Sequence, residues 1–263
     1  MLMTVIQAMI RDLGPYSSRN TSKGALLEEA AKIIGGFSRG LPLDEVRHQA
    51  FEGVLLNQRT RASRKRIWQT IYYRLFSPSV AWTIEDLKAG FRKGPHTPEF
   101  ISLSYLHYAL RDHLTFDFVT QVLWDQWCQR KLDISRNDLL SFLDQVSEGQ
   151  PQVKRWTESS RRKLAGSILT ALRDFGILKG SQKKRIVKPS LPLSTAEHLL
   201  HILTVEGLRG NEVILDPIWR LFLLSEEDIA HVLSQLSQTR SIRFERGGHS
   251  VVLETPEKWS NST

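Results

Sequence analysis

Apolar residues return every three to four positions through the first half of the chain, the period of a helix with one buried face. In TSKGALLEEAAKIIGGF, residues 21–37, Leu26, Leu27, Ala30, Ile33, Ile34 and Phe37 hold that spacing, and Gly35-Gly36 predicts the stop. LDEVRHQAFEGVLL (43–56) repeats the pattern with Asp44 as the expected cap. In NQRTRASRKRIWQTIYYRL (57–75) Ile67, Ile71 and Leu75 form the stripe, and Ser63 is the expected N-cap. TIEDLKAGF (83–91) reads as a capping box from Thr83 to Asp86. TPEFISLSYLHYALRDHL (97–114) opens with Thr97 as cap and Pro98 in the first helical position, where a missing N–H costs nothing. A further helix is expected from about Asp117, an acid suited to a first turn, to Arg130. Loops are short and no alternating pattern intervenes, so residues 1–131 read as one all-helical domain.

From Asp133 the pattern changes. Ser135 and Asp138 form a capping box for SRNDLLSFLDQV (135–146). PQVKRW (151–156) follows, then TESSRRKLAGSILTALRDFG (157–176) with Thr157 as cap. ILKGSQKKRIVKP (177–189) offers two short β-prone pieces around a polar tip. Helices followed by a hairpin predict a winged helix-turn-helix over residues 132–190. The order recurs more faintly over 191–256, in STAEHLLHILTVEGL, DPIWRLFLL and SEEDIAHVLSQLSQ, closed by a hairpin, SIRFERGGHSVVLE, turning at Gly247-Gly248. Residues 257–263 read as a tail. The expected fold class is mainly α, a helical N-terminal domain followed by two winged-helix-like domains.

Composition adds a sign of charge. The 263 residues are 41% hydrophobic and 24% charged, which fits a folded protein and argues against wholesale disorder. The formal net charge of +8 is unevenly spread, at +5 over residues 1–130, +7 over 131–190 and −4 over 191–263. Such a balance calls for an anionic partner, nucleic acid or a membrane surface. A membrane span needs about 20 apolar residues. The longest uncharged apolar run, Phe100 to Leu110, has eleven and includes His107. MLMTVIQAMI at the start lacks the basic region and cleavage site of a signal peptide. Cys128 is the only cysteine, read as a small half-buried hydrophobe, and fits a reducing cytoplasm.

Candidate binding residues fall on helix faces. After Thr157, Leu164, Ile168, Ala171, Leu172 and Phe175 cluster on one side. Ser159, Arg162, Lys163, Gly166, Thr170 and Arg173 lie opposite. That face is cationic near its N-terminus and small in its middle, as a helix lying deep in a major groove requires. The hairpin tip adds Lys183, Lys184 and Arg185 for neighbouring phosphates. A second patch packs Arg59, Arg61, Arg64, Lys65 and Arg66 into eight residues with no carboxylate between them. Arg66, Gln69, Thr70 and Tyr73 face away from the apolar stripe there, and Tyr73 could stack on an unpaired base. A plain solvated surface explains this second patch equally well.

The search for catalytic chemistry is mostly negative. The chain has no phosphate-binding GxxxxGK[ST] loop, GxSxG elbow or HExxH helix, and a lone cysteine excludes a zinc finger. His198 and His201 stand one turn apart, and Asp112, His113 and Asp117 lie close together, but neither group gathers further ligands in sequence. No enzyme activity, cofactor or metal is expected.

The strings SRKRIW…RL (63–68, 74–75), FDF (116–118) and W…KL…L…FGIL (156, 163–164, 172, 175–178), with KGALLEEA at 23–30, resemble the BrxA family of BREX bacteriophage-exclusion systems. The resemblance implies a small cytoplasmic DNA-binding component of a phage-defence locus, built with winged-helix modules. It also implies an N-terminal part comparable to the RNA-binding antitermination factor NusB. The expected partner is double-stranded DNA, held mainly through phosphates, with other BREX defence proteins as further contacts. An RNA-binding antitermination-like factor and a protein–protein assembly adaptor stand as alternatives.

Overall fold

The computed structural model describes residues 10–21, 24–76, 81–92, 94–239, 242–247 and 250–260. Helices α1 (Leu27–Ser38), α2 (Leu43–Glu52), α3 (Arg61–Leu75), α4 (Ala81–Phe91) and α5 (Pro98–Leu110) open the chain. A continuous helical stretch follows, made of α6 (His113–Asp117), a π turn (Phe118–Leu123) and α7 (Trp124–Cys128). Next come β1 (Asp133–Ile134), α8 (Arg136–Val146), α9 (Pro151–Lys154), α10 (Glu158–Asp174), β2 (Leu178–Lys179) and β3 (Lys184–Ile186). The C-terminal part holds α11 (Leu193–Val205), α12 (Asn211–Leu215), a 3-10 turn (Pro217–Phe222), α13 (Glu226–Gln238), the β4 (Arg243–Gly247) and β5 (Ser250–Glu254) hairpin, and α14 (Glu257–Ser260). Among the described residues no strand precedes Asp133, and the chain is mainly helical.

Local capping signals decide several boundaries. Thr97 accepts from Phe100 N ahead of Pro98, Ser135 and Asp138 form the reciprocal box, and Thr157 accepts from Ser160 N, each as the sequence indicates. Other boundaries differ. α1 runs through Gly35-Gly36 to Ser38, because Gly36 is where α2 comes close: a Cβ there would sit 3.2 Å from Val46 Cγ2. The pair serves packing, not termination. Pro42, not Asp44, precedes α2, and Asp44 instead pairs with Arg47 at 2.8 Å. Thr60 caps α3 and Ser63 supplies the N–H, so the hydroxyl roles are reversed. Thr83 and Asp86 lie inside α4, where Thr83 is buried and Asp86 reaches across to His198. The helix expected from Asp117 begins at His113, and Asp117 accepts from Tyr16 Oη at 2.5 Å. Cys128 is exposed rather than half-buried. The C-terminal hairpin forms, with Gly247 paired to Ser250, while Gly248 lies outside the described residues.

One buried cluster gathers Ile33, Ile34, Val46, Leu56, Ile71, Leu87 and Phe100 around α1–α5. A larger one runs from Ile10 through the C-terminal half of α5 to Trp259, and Leu27 packs against both. The two meet at α5, of whose thirteen residues ten are buried. Its polar groups therefore need partners inside the protein. Ser102 Oγ lies 2.7 Å from Thr195 Oγ1, His107 Nε2 lies 2.8 Å from His198 Nε2, and Tyr105 Oη donates to the Leu221 carbonyl at 3.0 Å. His198 also contacts Asp86 through Nδ1 at 2.6 Å. The neighbouring His201 is stacked between Trp82 and Trp259, so the short α14 is held in the core as well.

A second clasp ties the start of the described chain to its C-terminal part. Arg11 donates through Nε to Glu206 at 2.7 Å and through both terminal nitrogens to Asp216 at 2.9 and 3.0 Å. Arg11 is 13% exposed and each carboxylate 9%, so this is a partly desolvated, multidentate pair. Arg11→Leu should cost about 3 kcal/mol in denaturant unfolding, because two buried carboxylates lose their cation. Adding Glu206→Gln and Asp216→Asn to that variant should recover a good part of the loss. No recovery would mean the guanidinium acts through packing alone.

Burial foremost, then the nearby His198 and Arg111, holds the His107 imidazole well below its usual range. The folded chain therefore resists a proton that the unfolded chain accepts below pH ~6.5. His107 consequently lowers stability as pH falls through ~6.5, by up to about 1.4 kcal/mol per pH unit, and is without effect above it. Denaturation midpoints compared from pH 7.5 to 5 should fall more steeply for the native chain than for His107→Gln. Parallel curves would remove His107 as the cause.

Candidate nucleic-acid interface

α10 is fixed before it presents anything. Leu164, Ala165, Ile168, Leu169, Ala171 and Leu172 bury its inner side. Arg161 pairs with Asp144 of α8 and locks the two helices together. β1, β3 and β2 lie in that order as an antiparallel sheet, with Asp133 opposite Arg185 and Leu178 opposite Ile186. The loop from β2 to β3 turns at Gly180, whose φ is +102°. A Cβ at Gly180 would lie 2.2 Å from the Lys183 carbonyl oxygen, so only glycine closes this tip.

Outward from α10, Ser159, Arg162 and Lys163 are exposed and Gly166 is half-buried. They share an open cleft with Arg136 and Glu158. Arg136, the first residue of α8, lays its guanidinium over Gly166, 3.5 Å from where a Cβ would stand. Arg162 is paired with Glu158 at 2.6 Å and Arg173 with Asp174 at 2.7 Å. Both are exposed pairs worth little, about 0–1 kcal/mol, and readily exchanged for a phosphate. Lys163, Arg136, Lys183 and Arg185 have no carboxylate partner among the described residues. Burial, then the charges of Arg173 and Arg136, pull the Lys184 ammonium below its ordinary range. The cations thus outweigh the acids around Lys184, an arrangement that an incoming anion relieves.

The sequence-derived set splits when placed in space. Residues of a strand alternate between faces. Lys184 shares the inner face with buried Ile186, donates through Nζ to the Ser181 carbonyl at 2.6 Å and feels the charges of Arg173 and Arg136, while Arg185 is exposed on the opposite face beside Asp133 and Lys179. Lys183 stands at the tip and is exposed. Thr170 is half-buried: Gly24 lies on that side, where an added Cβ would stand 4.0 Å from the Thr170 methyl group, and the Thr170 hydroxyl donates to the Gly166 carbonyl at 2.8 Å. Arg136 was missed because position 136 reads as part of a capping box. Its place one residue after the Ser135 cap was the available signal.

The N-terminal patch also divides. Arg59, Lys65 and Arg66 are exposed, and Arg61 pairs with Glu52 at 3.0 Å. Arg64 has an internal job, donating to the Phe51 carbonyl at 2.7 Å and the Gln58 carbonyl at 2.8 Å, which holds the α2–α3 loop closed. Tyr73 is half-buried, with its hydroxyl on Asp12 and the guanidinium groups of Arg19 and Arg111 over its ring. Among the described residues no group of three or more His, Cys, Asp or Glu converges as a metal site, and no helix is long and apolar enough to cross a membrane.

The crystal structure of an uncharacterized protein from Magnetospirillum magneticum is similar in fold. The two share 22% identity and a TM-score of 0.61, over 80% of this chain and all of the other. No curated protein matches the sequence. A family model described as BrxA matches residues 14–202, which take in the N-terminal helices, the α10 face and most of α11. The chain therefore belongs to the BrxA family of BREX phage-defence systems.

Proposed function

We propose that this BREX-associated protein binds double-stranded DNA through phosphate contacts, with residues 132–190 acting as a winged-helix unit and no chemistry of its own. The observation that carries this reading is the open cleft in which Arg136, Arg162 and Lys163 surround the small Gly166, with the charges of Arg136 and Arg173 extending to Lys184. The order β1, helices, β2, β3 supports it, since a duplex groove accepts α10 while the β2–β3 tip reaches the adjoining backbone. Few amide side chains accompany these cations, so affinity comes from phosphates and tolerates sequence. The C-terminal part has the opposite character. Arg243 is bound to Glu245 and Glu254, and Arg246 faces Glu226 at 3.6 Å, which leaves little free cation along the β4–β5 hairpin. Residues 191–256 accordingly serve protein contacts, inward to α5 and outward to other defence proteins in the cytoplasm.

Fluorescence anisotropy with a duplex should show a fall in affinity of about a thousandfold between ~50 and ~200 mM salt, if six or more phosphates are engaged. Arg136→Glu with Lys163→Glu should abolish measurable binding at the higher salt and leave the melting curve almost unchanged, since both side chains are on the surface. A flat salt response would remove the electrostatic basis of the proposal. The strand alternation gives a sharper test. Lys184→Glu should weaken duplex binding at least tenfold more than Arg185→Glu, although the two residues are adjacent. Equal effects would place the duplex across the hairpin tip, away from the α10 face.

A further inference from the structure

A second basic feature lies apart from the α10 cleft. α3, the C-terminal end of α5 and residues 17–20 enclose a cavity of about 430 Å³. Arg19, Arg66 and Arg111 line it together with Gln69, Tyr73 and Tyr108. Two further charges in its wall compensate one another. Arg74 is buried and donates to the Gly24 carbonyl at 2.9 Å and to Asn20 Oδ1 at 2.6 Å, with the buried Asp112 nearby. Neither Arg19, Arg66 nor Arg111 makes an ion pair within 4 Å of a carboxylate among the described residues, and Asp12, bonded to the Tyr73 hydroxyl, is the acid whose charge reaches Arg19 and Arg111. Three guanidinium groups thus stand against one carboxylate.

Their placement is fixed in advance. Arg19 and Arg111 lie with their guanidinium carbons 4.6 and 4.7 Å from the centre of the Tyr73 ring. Stacked guanidinium groups keep their N–H edges free for a planar or tetrahedral oxyanion. Arg111 Nε is enclosed with no hydrogen-bond acceptor, and its nearest terminal contact, to the Ile10 carbonyl, is long at 3.4 Å. Donors exceed acceptors, and three cations line one pocket. An anion offsets both costs. The tyrosine rings between the arginines are already covered, Tyr73 by Arg19 and Arg111 and the buried Tyr108 by Arg74, so the site addresses the anion and not an aromatic body.

We propose that this cavity binds a phosphorylated unit through its phosphoryl group, held by Arg19, Arg66 and Arg111. The unit is either a free nucleotide or one residue of a single strand, and the recognising chemistry is the same. The site is independent of the duplex-binding face. The cations that form it lie on α3, α5 and the segment before α1, and Lys184 takes no part.

Titration calorimetry of the full chain with adenosine 5′-monophosphate, adenosine, inorganic phosphate and a short single-stranded oligonucleotide with and without a 5′-phosphate tests this. The monophosphate and inorganic phosphate should each bind at least tenfold more tightly than adenosine. Arg19→Ala with Arg66→Ala, both exposed positions, should reduce that affinity tenfold or more, whereas Lys184→Glu should leave it unchanged. Binding of the free nucleotide alone identifies a soluble ligand, and tighter binding of the oligonucleotide identifies a strand; either supports the site. Adenosine matching the monophosphate would overturn the role of the phosphoryl group. An affinity lost in Lys184→Glu but kept in the double variant would overturn the site itself, while leaving the duplex-binding reading intact.

Discussion

Helix α5 has no face to give to water, and the rest of the architecture is arranged around that constraint. A buried hydroxyl or imidazole without a partner costs on the order of 1–3 kcal/mol. Ser102, Tyr105 and His107 therefore each fix the position of a particular atom elsewhere: a hydroxyl of α11, a carbonyl of the 3-10 turn and a second imidazole. Apolar contact alone would let α11 slide along α5. Three directional bonds along one helix leave a single register. The basic helices in front of and behind α5 inherit their relative placement from it.

Charge is sorted around this core by what each cation can reach. Arg11, Arg64 and Arg74 are spent on internal carbonyls and carboxylates, where a guanidinium's several donors fit. Other cations stand together on two surfaces, the α10 cleft and the cavity beside α3. Their positions follow from helix and strand periodicity, while their freedom from carboxylates follows from tertiary packing. The +8 chain thus carries two separate groups of cations and a C-terminal hairpin in which Arg243 and Arg246 face acids.

How much of this could be read in the sequence depends on the range of each interaction. Thr97, Ser135 and Thr157 were legible because a cap bonds to a group three residues away. Gly35-Gly36 misled because the reason for a glycine there is Val46, on another helix. The Thr60 and Ser63 roles were reversed because both hydroxyls belong to the same small network and only backbone geometry tells acceptor from donor. On the α10 face, Arg162, Lys163 and Gly166 followed from the helical period. Thr170 did not, since the loop that covers it comes from the far N-terminal side. Lys184 and Arg185 looked alike in sequence because both were assigned to the hairpin tip, where no alternation applies, whereas β3 begins at Lys184. Arg19 and Arg111 carry no local signal at all; they are drawn together by the ring of Tyr73.

Gly24 occupies the seam between the two basic regions. Its carbonyl is held by Arg74, and its α-carbon faces Thr170 and Asp174 of α10, where an added Cβ would meet Asp174 Oδ2 at 3.6 Å and the Thr170 methyl at 4.0 Å. There is room for one methyl group and not for a branched side chain. The residue at this position works as a shim of adjustable thickness. A bulkier substituent wedges α10 away from α3 and changes the angle between the two faces, with every cation untouched. The separation of the α10 cleft and the cavity beside α3 can therefore change through a position that lines neither.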